Sequence, residues 1–155
     1  MADTSRSPYC VCTTVTRKAL DALLENGVDG AYRDEHPWFA ARELMLAERQ
    51  SGRRLALLLA VEDPGEEVVF SHWAMIEDID VETLHRGAWL TRVRFVGLAP
   101  VNPIWHALDS VMLKPGDDQL RREALEPIRQ HRQVLDARHA HPYAVCETPA
   151  FILTE

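Results

Sequence analysis

Hydrophobic and polar positions alternate along this chain with two different periods, and the places where the period changes mark its elements. Residues 9–15 are rich in β-branched and aromatic types directly after Pro8, which predicts a strand. Thr16 then suits an N-cap, Leu20, Leu23 and Leu24 recur at helical spacing, and Gly27 supplies a stop. Residues 28–36 read as a loop, with turn chemistry at Asp29 and Gly30. Pro37 fits the first position of a second helix reaching about Gln50, with Phe39, Leu44, Met45 and Leu46 near its buried side and Gly52 as its end. The short apolar run 55–61 reads as a buried strand, followed by a turn at Asp63, Pro64 and Gly65. Residues 68–80 form a long strand, with Phe70, His72, Ala74 and Ile76 on one side and Val69, Ser71, Trp73 and Met75 on the other. Both sides are mixed, as in a sheet covered on one face and lining a pocket on the other. In residues 88–98, Trp89, Thr91, Val93 and Phe95 alternate with Leu90, Arg92, Arg94 and Val96, and Trp89, Val93 and Phe95 are assigned to the core. Residues 104–113 fit a short helix or a further strand. Residues 117–137 are helical in composition with a break at Pro127, and residues 143–147 read as a last strand.

The resulting order is strand, helix, helix, three strands, helix, strand. Runs of neighbouring strands favour antiparallel pairing and an α+β class. The expectation is one α+β domain over residues 1–155, ordered from about 8 to 153. Its sheet is expected to be mixed and mostly antiparallel, either a small β-barrel or strongly curved, with flanking helices. Closure would follow if the outer strands near Cys12 and Cys146 pair.

Composition narrows the setting. Apolar residues make up 46% and charged residues 26% of 155, the balance of a globular domain able to build its core without staples. No apolar run approaches the roughly 20 residues that span a bilayer, and residues 1–7 are polar with no apolar signal region, so a cytoplasmic protein with no membrane partner is expected. An odd count of three cysteines argues for buried, reduced thiols rather than a disulfide framework. The sharper alternative is a thiolate metal site joining Cys10, Cys12 and Cys146 to His139 or His141, but C-x-C spacing is weak for zinc. No metal or cofactor is assigned. The net charge of −7 lacks the basic footprint of a duplex binder, which restricts a nucleic-acid role to a local patch or a single nucleotide.

Motifs for a P-loop, a dinucleotide fold, a nucleophile elbow or a zinc protease are absent. The candidate chemistry is therefore scattered. His72 and Trp73 lie mid-strand on opposite faces, and whichever meets a cavity offers a hydrogen-bonding tip or a stacking surface. Arg92 and Arg94 share a face that suits phosphate or carboxylate, or else forms a solvated surface balanced by acids such as Glu77 and Asp78. Tyr32, Arg33, Trp38 and Phe39 flank the loop before the second helix, as recognition residues or as anchors for that loop. His139 and His141 share an extended segment, either as metal ligands or as a solvated helix end. His36 has no partner at ligand spacing.

In layout the chain resembles the PUA-like superfamily of ASCH, EVE and YTH domains. The resemblance rests on the strand 9–15 with its helix, the apolar strand 55–61, the Trp73 strand, the strand ending at Leu98 and the closing strand with Cys146; no ASCH signature can be aligned. It implies a small barrel with a cleft for RNA or DNA, a modified base or a nucleotide. Trp73, Tyr32 and Trp38 would then stack the base, with His72 beside them, and Arg33, Arg92 and Arg94 would meet phosphate. Three functions follow in order: a nucleotide- or base-binding module, an acidic protein-interaction domain of inhibitor or immunity type, and a nucleic-acid or nucleotide hydrolase using Cys or His.

Overall fold

The apolar run around Leu57 and Leu59 becomes the middle of a sheet. The computed structural model describes residues 5–101, 106–115, 121, 124–125, 133–136, 138–149 and 152. Along them lie β1 (Ser5–Val15), α1 (Arg17–Glu25), β2 (Gly30–Asp34), α2 (Phe39–Gln50), β3 (Arg53–Val61), β4 (Val69–Thr83), β5 (Trp89–Pro100), β6 (His106–Ala107) and β7 (Ala144–Glu147). One sheet holds the strands in the order β2-β5-β4-β3-β1-β7, and β6 pairs with the start of β4. The β1–β3 pair is parallel, because α1, β2 and α2 lie between them in the chain; the other pairs are antiparallel. The mixed, mostly antiparallel α+β sheet expected from the pattern is thus present, and Cys10 and Cys12 do pair with the Cys146 strand.

Successive residues of β3 feed two cores. Leu55, Leu57, Leu59 and Val61 enter a first core with Val11, Leu20, Trp38, Met45, Ile76, Val93 and Phe95. Ala56, Leu58 and Ala60 enter a second with Cys10, Cys12, Phe70, Trp73, Val111, Leu135 and Cys146. The α2 side chains Ala41 and Met45 belong to the first core, and the later segments holding Val111 and Leu135 cover the second face.

The sheet curls toward its first face. β2 and β7 are the two ends of the strand order, yet Trp38 reaches both: its ring lies 5.7 Å from Tyr32 on β2 and 4.6 Å from Tyr143 just before β7. The Tyr32 hydroxyl also lies near the Thr13 side chain on β1. No backbone ladder joins β2 to β1 or β7 among the described residues, so the expected barrel does not close. The sheet is strongly curved instead, and side chains bridge its seam.

Other expectations are corrected. The predicted loop 28–36 contains β2, which pairs along its whole length with β5. On α2 the buried positions are Ala41, Met45 and Glu48, while Phe39 is 47% and Leu46 37% exposed. Trp38, at the N-cap, is the aromatic that enters the core; its backbone N–H donates to Thr91 Oγ1, whose hydroxyl donates to the His36 carbonyl. Buried Glu48 is paired with Arg53. Val93 and Phe95 are buried as expected, but Trp89 is half-buried, edge-on to Phe39. Residues 104–113 include β6 and a 3₁₀ turn, Leu108–Ser110. The Pro127 break in the helix expected over 117–137 lies outside the described residues. No helix among those described is long and apolar enough to cross a membrane.

Candidate functional site

The seam gathers polar side chains that are distant in sequence. Asp34 ends the edge strand β2, and the chain turns after it so that His36 and Trp38 both come back to its carboxylate. Trp38 Nε1 donates to Asp34 Oδ2 at 2.7 Å, and His36 Nδ1 lies 3.2 and 3.3 Å from the two oxygens. An ionised carboxylate only accepts, so His36 donates from Nδ1, and in the neutral form of the ring the lone pair is on Nε2. The Asp34 side chain is only 13% exposed, whereas that of His36 is 42% exposed. A buried indole thus fixes a carboxylate, and the carboxylate orients an accessible imidazole.

The opposite lip brings His141. Its ring is 5.5 Å from that of His36, nearly perpendicular to it. The next residue is tied down, because Thr13 Oγ1 donates to the Pro142 carbonyl at 2.6 Å. His141 also lines a cleft of about 590 Å³ with Thr14, Val68 and three acids, Glu62, Asp63 and Glu66. Of these acids, Asp63 is answered by Arg17, whose Nε is 3.7 Å away and whose backbone N–H donates to Oδ1. Glu62 and Glu66 are exposed, so the rim is electronegative.

The residues expected to form one pocket do not converge. Trp73 is only 7% exposed and sits in the second core, with the Arg6 guanidinium 4.7 Å above its ring. Simple alternation would put it opposite Phe70, but a register shift between Leu59 and Ala60 brings both into that core. Its Nε1 has no hydrogen-bond acceptor among the described residues. Tyr32 and Trp38 lie on the other face, as the anchors of the seam. Burial pushes the Tyr32 hydroxyl above its ordinary pKa, partly offset by the nearby Thr13 side chain.

Arg33 and Arg92 are cross-strand neighbours, and Arg33 lines a shallow recess with Glu35 and Leu90. Arg92 is 3.9 Å from Asp80, and Arg94 is 3.4 Å from Asp78. These guanidinium groups form a solvated face balanced by acids, as in the blander expectation, with Asp80 rather than Glu77 as the second acid. His72 is half-buried beside Ser71 Oγ, and burial, then Arg17, lowers its pKa.

The cysteines meet one another and not the histidines. Cys10 Sγ and Cys12 Sγ are 3.8 Å apart, Cys146 is opposite Cys10 in the ladder, and all three are free and fully buried. Burial, then hydrogen bonds from Cys10 and Cys146, pushes the Cys12 thiol well above its ordinary pKa, the reverse of what a reactive thiol needs. His139 pairs instead with Asp136 at 2.8 Å. Among the described residues no three His, Cys, Asp or Glu side chains are arranged to hold a metal ion.

Sequence reasoning passed over Asp34, His36 and the acid-rimmed cleft. The Asp34, His36, Trp38 spacing was visible, but the His36–His141 approach is created by the curl alone. Comparison of the chain with protein-family models, with curated proteins and with solved structures finds no match.

Proposed function

We propose that this chain is a binding module whose cleft takes a basic segment of a partner protein. The observation that carries this reading is the lining of the cleft, where Glu62, Asp63 and Glu66 meet with Arg17 as a counter-charge on Asp63. A net charge of −7 steers a cationic partner toward the chain and repels phosphate. Arg92 and Arg94, the expected phosphate ligands, are already engaged with carboxylates. Fluorescence anisotropy with a labelled oligoarginine peptide tests the reading, with nucleotides and short RNA in parallel. Peptide binding that weakens with salt, and by about tenfold or more in the double variant E62K/E66K, is expected. Nucleotide binding without peptide binding, or a double variant that binds the peptide as wild type does, refutes it.

A further inference from the structure

The seam holds a pair of imidazoles whose arrangement the binding reading does not use. His36 has its Nδ1 committed to Asp34, which leaves the Nε2 lone pair directed away from that carboxylate. Metal-bound histidines characteristically have this arrangement, with a carboxylate behind the ring fixing its tautomer and raising its basicity. Here the carboxylate is itself fixed by the buried Trp38 indole, so the orientation is set by the core. The His141 ring lies across the seam, nearly perpendicular to that of His36. Two imidazoles on one tetrahedral Zn²⁺, with Zn–N near 2.0–2.1 Å, place their ring centroids roughly 5–5.5 Å apart. The His36 and His141 centroids are 5.5 Å apart. Glu62, Asp63 and Glu66 line the cleft that His141 borders, which favours a cation there and disfavours an anion.

We propose that His36 and His141 form a two-nitrogen site for a divalent transition-metal ion of the zinc type, with Asp34 as the group that positions His36. Imidazole nitrogen suits Zn²⁺ and Ni²⁺ over Mg²⁺ or Ca²⁺, which prefer oxygen. Two protein ligands leave coordination positions for water or for a donor atom of whatever occupies the cleft. The site does not depend on the identity of that occupant, and it is distinct from the cysteine cluster, which lies in the second core.

The test is calorimetric titration of the purified chain with ZnCl₂ and NiCl₂, alongside the absorption spectrum with Co²⁺. Expected are one equivalent of bound ion and a loss of affinity of tenfold or more in His36→Ala and in His141→Ala. Asp34→Asn should lose about tenfold, the usual effect of removing a carboxylate behind a ligand histidine. His139→Ala, which alters an exposed ring paired with Asp136, should bind as wild type. The Co²⁺ spectrum should lack thiolate charge-transfer bands. His36→Gln and His141→Gln, checked for an unchanged melting temperature, replace either alanine variant that unfolds. No saturable binding overturns the proposal, and so does wild-type affinity in the His36 or His141 variants. An equal loss in His139→Ala, or a thiolate band, also overturns it.

Discussion

Replacing Trp38 by Phe tests whether one side chain holds the seam. Phe keeps an aromatic ring between Tyr32 and Tyr143 but has no N–H for Asp34. The lost bond is short, 2.7 Å, and its acceptor is a carboxylate with a 13% exposed side chain, so it belongs to the charge-assisted class. Bonds to charged groups contribute about 1.5–3 kcal/mol. Trp38 is fully buried, and the smaller ring weakens contacts worth about 0.5–1.5 kcal/mol per aromatic pair. Together these give a loss of roughly 2–4 kcal/mol, or a fall in melting temperature of about 5–15 °C for a chain of this size. Urea unfolding followed by circular dichroism measures it, with an unchanged denaturant slope as the check that the unfolded state is the same. The double variant with Asp34→Asn should show coupling of about 1–2 kcal/mol, because the two groups touch. Hydrogen exchange should rise first in β2, which stands at the end of the strand order and among the described residues has its ladder with β5. A Trp38→Phe loss below about 0.5 kcal/mol, or strict additivity with Asp34→Asn, would show that the seam is not held this way.

Two further outcomes follow from the cores. In the native protein Cys10, Cys12 and Cys146 should resist a thiol-specific reagent until the chain unfolds, and the rate of reaction checks it. Because burial holds the Cys12 pKa above its unfolded value, the unfolded chain loses that proton first as pH rises. Its contribution is therefore complete below about pH 8.5 and declines above it, and unfolding curves of Cys12→Ala should show a shallower alkaline decline than wild type. Gly97 interrupts β5 with φ of 71° while its N–H donates to Asp29 Oδ1. Gly97→Ala should cost about 1–2 kcal/mol by urea unfolding, the strain of a left-handed backbone for a residue with a Cβ.

Much of the sheet could be read before it was seen, for reasons that lie in particular residues. Residues 55–61 offered apolar side chains at every position, which only a strand buried on both faces can use, and β3 feeds both cores. Val93 and Phe95 alternate cleanly because one face of β5 is covered and the other carries Arg92 and Arg94 in water. β2 escaped because an edge strand draws its hydrogen bonds from a neighbour. Its sequence of Gly30, Ala31, Tyr32, Arg33 and Asp34 carries little apolar pattern of its own, and β5 supplies the pairing. Helix α2 was found, but its face was misjudged: Trp38 enters the core from the N-cap, Ala41 is buried with Met45, and Phe39 and Leu46 are left outside.

The site was harder to read than the fold because it depends on curvature, and curvature leaves no local trace in a chain. Trp73 stood out as a large aromatic in mid-strand, yet a shift of register below it decides which face it joins, and no alternation rule locates such a shift. His36 had no second imidazole at ligand spacing in its own segment. It gains one only because Tyr32, Trp38 and Tyr143 draw the two ends of the sheet together and carry His141 across. Two of these aromatics, Tyr32 and Trp38, offered by sequence reasoning as a stacking surface for a guest, therefore act one step earlier, together with Tyr143. They bend the sheet, and the bend assembles two imidazoles beside a cleft lined with carboxylates. A change that relaxes the bend, such as Trp38→Phe, should on this account weaken Zn²⁺ binding as well as stability, although Trp38 itself offers the ion no ligand.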